Sequence, residues 1–96
     1  MNTRHAFIEN LKQQLDAWDA DLAELEAKAA TVKEELKSGY EHDIASLRQQ
    51  RDEAARKLKE LRTATDEAWD NLKQGSEMAW SDLKSAFAKA RDRLLD

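Results

Sequence analysis

From Ile8 onward the large apolar residues and alanine fall at Ile8, Leu11, Leu15, Trp18, Leu22, Leu25, Ala29, Val32 and Leu36, in steps of three and four that alternate strictly. An α-helix turns once in about 3.6 residues and a strand repeats every second residue, so this spacing draws one apolar stripe along a helix. Such a heptad pattern is a coiled-coil seam, and a seam has to be covered by other helices. No other feature of the chain restricts its fold as strongly.

Composition removes the competing classes. The chain has 96 residues, enough for one domain (1–96) with a modest core. Charged residues make up 38 % and hydrophobic ones 41 %, with no proline, two glycines and no cysteine. Without proline nothing forbids helix anywhere. One tyrosine and two phenylalanines supply little of what strands favour. The expected class is therefore all-α, a helical coiled-coil domain.

Past Leu36 an eleven-residue step takes over. Leu25, Leu36, Leu47, Leu58, Trp69 and Trp80 form one ladder, and Leu61, Leu72, Leu83 and Leu94 a second. Eleven residues make three turns at about 3.67 per turn, so such a ladder stays on one side of a nearly straight helix. The phrase Ala-Trp-x-x-Leu-Lys, at 68–73 and again at 79–84, marks the end of this repeat.

Two places offer a break. Ser38-Gly39-Tyr40-Glu41 fits a capping box, and Thr63-Ala64-Thr65-Asp66 a weaker cap. Against a break at Gly39, the span from Ala29 to Leu47 is 18 residues, five full turns, so the seam crosses the glycine in phase. The reading preferred is a long amphipathic helix over about 3–62 and a second over about 65–94, as a hairpin or extended coiled coil. The alternative is a three-helix bundle with an extra break near 38–40.

In the hairpin the second helix covers Ile44, Leu47, Leu58 and Leu61 but leaves the stripe from Ile8 to Val32 bare, which calls for self-association or for another helical protein. Arg51 falls on the seam between Leu47 and Leu58. Its stem is expected to pack while the guanidinium reaches the edge; the sharper alternative is a polar layer that fixes register.

Chemistry finds little support. His5 and His42 stand 37 residues apart, outside any zinc-binding frame. Neighbours in Glu41-His42-Asp43 project about 100° apart on a helix and do not close on one ion. Asp16 with Asp19, and Asp66 with Asp70, read as solvated acidic faces. No phosphate loop, nucleophile elbow or calcium loop is spelled out, so neither an enzyme nor a cofactor is expected. A net charge of −4 argues against nucleic acid. The N-terminus lacks the apolar core of a secretory signal, and no run approaches the ~20 apolar residues of a membrane span. A cytoplasmic protein is expected.

AWDADLAELEAKA, EHDIASLRQQRDEAARKLKELR and DEAWDNLKQGSEMAWSDLKSAF together resemble a group of small bacterial coiled-coil domain-containing proteins over nearly the whole chain. The resemblance implies a helical coiled coil and carries over no activity, cofactor or site residue. A looser likeness, on repeat length alone, is to eleven-residue-repeat proteins of the apolipoprotein-like and desiccation-protective kinds.

The function expected is therefore that of a non-enzymatic structural or interaction protein that self-associates through its seam. Leu11, Leu15, Trp18, Leu22, Leu25, Val32, Trp69, Leu72, Trp80, Leu83 and Phe87 carry that seam. The alternative is an amphipathic-helix binder of lipid surfaces or a stress-protective protein. It rests on Trp69 and Trp80, each followed four residues later by a lysine, Lys73 or Lys84.

Overall fold

A computed structural model describes residues 3–95. Residues 1, 2 and 96 of the domain expected over 1–96 lie outside the described span. Three helices follow one another: α1, Thr3–Ala29; α2, Glu34–Arg62; and α3, Asp66–Leu94. No strand occurs among the described residues. The helices run up, down and up, so that α1 and α3 are parallel and α2 is antiparallel to both.

The all-α class stands, but the single helix over 3–62 does not. It is broken at residues 30–33. The three-helix alternative is the architecture found, with its extra break misplaced, because Ser38-Gly39-Tyr40-Glu41 lies within α2. Helix length explains the position. Breaks at 30–33 and 63–65 give helices of 27, 29 and 29 residues, matched closely enough to cover one another's apolar stripes along most of their length, with Leu36 at the start of α2 left out. A break at 38–40 would leave a first helix of roughly 54 Å against a second of roughly 33 Å, at about 1.5 Å per residue. The observed helices of ~40–44 Å fit a body of 51 × 20 × 17 Å.

The two turns are built differently. At the second, Thr65 is the N-cap of α3 and its hydroxyl oxygen accepts from the Ala68 amide at 3.3 Å. Asp66 and Glu67 follow in the first turn and Arg91 and Arg93 stand in the last, each complementing the helix dipole. At the first turn Lys33 is the N-cap of α2 and makes no side-chain capping bond. There the Thr31 hydroxyl donates to the Lys28 carbonyl at 2.8 Å, and the Leu36 amide to the Lys33 carbonyl at 2.9 Å. Neither turn contains a positive φ.

The core is one continuous cluster along the bundle axis. From α1 come Leu11, Leu15, Trp18, Leu22, Leu25 and Ala29; from α2, Ile44, Leu47, Ala54, Leu58 and Leu61; from α3, Trp80, Leu83, Phe87, Ala90 and Leu94. Leu25 and Leu61 are wholly buried.

Candidate interaction seam

All the seam residues except Val32 meet inside one chain. Leu11, Leu15, Trp18, Leu22 and Leu25 of α1 are buried against α2 and α3, as are Trp80, Leu83 and Phe87 of α3. Trp69 and Leu72 are half-buried at the edge of the core, and Val32 is half-buried in the α1–α2 turn. The stripe from Ile8 onward, expected to lie bare, is therefore covered by the chain's own second and third helices. The expectation failed because a bundle of three equal helices closes a surface that a hairpin of unequal ones leaves open.

Indoles and phenyl rings bring α1 against α3. Trp18 stacks on Phe87 with centroids 5.5 Å apart and planes at 12°, and meets Trp80 at 6.2 Å. The Trp80 Nε1–H donates to the Leu11 carbonyl at 3.2 Å, a buried bond between helices. A carbonyl oxygen has two lone pairs, so a residue within a helix can accept it. Near the start of both helices Phe7 packs edge-on to Trp69 at 5.8 Å. The Arg4 guanidinium lies 4.3 Å above the Trp69 ring while Arg4 also bonds to the Ala64 carbonyl and to Asp66. Lys73, expected beside an indole, instead lies 5.4 Å from the Phe7 ring.

Arginines clasp the helices along their outer edges. Arg48 pairs with Glu26, Arg93 with Asp43, and Arg91 with both Asp21 and Glu24. Arg51 grips Asp19 with two parallel bonds, Nε to Oδ1 at 2.6 Å and Nη2 to Oδ2 at 3.0 Å. The hydrogen bond to Asp19 raises the Arg51 pKa above its ordinary value, and burial opposes that rise. The planar fork suits such two-point pairing. Thus the Arg51 head reaches the bundle edge, as its packed-stem reading expected, and it also ties α2 to α1.

Eleven-residue phasing does not organise the burial. Leu36, a rung of the first ladder, is 52 % exposed. That ladder crosses both turns, and helical phase means nothing across a turn. Within α2 the positions Ile44, Leu47, Arg51, Ala54, Leu58 and Leu61 alternate by three and four, the same heptad as α1. Ala54, Ser76 and Ala90 complete the buried set, and the apolar ladders missed them because they are small. Continuing the heptad count through each helix would have found all three.

One member of each carboxylate group weighed for chemistry is held by an arginine: Asp19 of the Asp16–Asp19 pair by Arg51, Asp66 of the Asp66–Asp70 pair by Arg4, and Asp43 of the Glu41-His42-Asp43 triplet by Arg93. Among the described residues no group of three or more His, Asp or Glu side chains is placed to hold a metal ion. Open grooves lie between the helices. One of about 510 Å³ between α1 and α3 is lined by Gln14, Ala17, Trp18, Trp80, Ser81 and Lys84. Another of about 390 Å³ between α1 and α2 includes Ala29, Lys37, Ile44 and Arg48. No helix among the described residues is long and apolar enough to cross a membrane.

Comparison with protein-family models, with curated proteins and with solved structures finds no match to this chain.

Proposed function

We propose that this chain is a non-enzymatic helical protein that acts by packing against other helices, its own copies first among them. The observation that supports this most directly is the seam. Its large apolar residues and its arginine clasps are committed to helix-on-helix contact, and any helix with the same stripe and the same carboxylates satisfies them equally. The test is sedimentation equilibrium over a range of protein concentrations. A mass that rises with concentration is the expected result, and one chain at every concentration removes self-association. Leu22→Asp is expected to lower stability and helicity together, because Leu22 is 5 % exposed within the single chain.

A second reading, binding to a lipid surface, is favoured by one feature of α3. Lys73, Lys84 and Arg91 border its apolar stripe, while Glu67, Asp70 and Asp92 face outward. Lysine beside an apolar stripe suits an interface where the ammonium snorkels to headgroups. Because Trp80 is 3 % exposed, α3 has to leave the bundle for this contact. Phosphatidylcholine vesicles that leave tryptophan emission and quenching unchanged would remove the reading.

A further inference from the structure

Two facts about the first turn are unexplained by the bundle. The apolar stripe of α1 continues in phase through Ala29, Val32 and Leu36 toward Ile44 and Leu47, although the chain reverses between Ala29 and Glu34. A hairpin does not require the stripes of its two helices to share one phase. And Leu36, which extends that stripe, is left 52 % exposed.

The turn itself is weakly made. Residues 30–33 are Ala-Thr-Val-Lys, with no glycine, no proline and no positive φ, and α2 starts without a side-chain cap. Each of the four residues is acceptable in a helix. The second turn differs, since the Thr65 cap holds it and the Arg4 side chain bonds to its Ala64 carbonyl.

We infer that residues 30–33 also adopt helix, joining α1 and α2 into one rod over 3–62, and that two copies in this form exchange their first helices. This deepens the self-association proposed above by naming how it occurs. In the exchanged dimer α1 of each copy lies on α2 and α3 of the other. Every contact of the bundle is kept, now between chains: Leu11 carbonyl with Trp80, Asp19 with Arg51, Asp21 and Glu24 with Arg91. Only the turn changes, and a short connection of this kind is where exchange between identical chains occurs. The kept pairs Asp19–Arg51 and Glu26–Arg48 set the antiparallel register of the two rods so that they cross at Leu36, and Leu36 of one copy then faces Leu36 of the other.

The experiment uses the full chain, refolded at low and at high protein concentration, since exchange requires α1 to undock. Lys12→Cys with Lys59→Cys places spin labels at two exposed sites on α1 and α2, read by electron–electron distance measurement after dilution into unlabelled protein. In the bundle the two labels sit side by side on adjacent helices. In the rod they are 47 residues apart, ~70 Å at about 1.5 Å per residue. The dimer fraction is expected to show the long distance within one chain.

Glu34→Pro sets the turn permanently. Position 34 is the first residue of α2, where proline is favoured, and Lys33 before it has φ −62° and ψ 148°, the extended conformation a pre-proline residue takes. In a continuous helix a proline there removes a hydrogen bond and clashes with the preceding turn. This variant should keep full helicity and show no dimer. Thr31→Ala with Val32→Leu raises helix propensity through the turn and should raise the dimer fraction about tenfold.

Dimers that keep the short distance, or a Glu34→Pro variant that dimerises like the parent, overturn the exchange and leave self-association through outer faces standing. A single chain at every concentration, in the parent and in the Thr31→Ala, Val32→Leu variant, overturns both.

Discussion

Trp80 contributes ring packing on Trp18 and a bond from its Nε1–H to the Leu11 carbonyl at 3.2 Å. Trp80→Phe removes that bond, about 1 kcal/mol net, and part of the packed ring, so urea denaturation should show a loss above that figure. Trp80→Ala removes the ring as well and should cost about 3–5 kcal/mol. Leu25 and Leu36 make a sharper contrast, being wholly buried and 52 % exposed respectively. Leu25→Ala is expected to cost about 2–5 kcal/mol, and Leu36→Ala to stay within about 0.5 kcal/mol in the monomer. Arg51 occupies a heptad position yet spends its guanidinium on Asp19. Its pKa is raised, so its contribution is complete below the ordinary arginine value and is lost only as pH climbs through the still higher folded one. From pH 6 to 9 the stability profiles of the parent and Arg51→Lys should therefore run parallel, offset by under about 1 kcal/mol because the pair is half-exposed. Converging profiles would show that another group titrates against this pair.

At the scale of the element, Gly39 and Gly75 both lie within helices, and a Cβ built at either meets nothing within 4 Å. Gly39→Ala and Gly75→Ala should each stabilise by about 0.5–1 kcal/mol, read from denaturation midpoints. Failure of either gain would mean that its helix is bent or frayed in solution. Thr65→Ala, which removes the cap of α3, should cost about 1 kcal/mol. These same residues show what the sequence made legible. The second turn could be read because Thr63-Ala64-Thr65-Asp66 offers a weaker cap there, although it is Thr65 that caps α3 while Thr63 closes α2. The first turn could not, because Ala30-Thr31-Val32-Lys33 offers no turn residue and the seam crosses it in phase. Ser38-Gly39-Tyr40-Glu41 supplied a plausible cap at the wrong place, since a capping pattern is local whereas helix length is settled by matching three stripes. The seam of α1 was legible from leucine spacing alone. Its partner was not, because covering it depends on where the turns fall.

For the whole molecule, three parallel-sided helices give an elongated body with a Cα radius of gyration of 15.5 Å. A compact domain of this length is closer to 12.5 Å on the usual scaling, about 2.2 Å times the 0.38 power of residue number. Small-angle scattering of the monomer should give a value close to the larger figure, and an appreciably smaller one would contradict the bundle. Its tryptophans have a bearing on any such study. Trp18, Trp69 and Trp80 all stand where α1 adjoins α3, with Trp18 and Trp80 buried and Trp69 between Phe7 and Arg4. The intrinsic fluorescence is therefore a gauge of a single joint. It dims or reddens when a first helix departs, and it stays silent about which molecule supplied the one that is docked, so emission spectra of a lone chain and of an intertwined pair should look alike, while their masses differ and only the pair's melting midpoint moves with protein concentration.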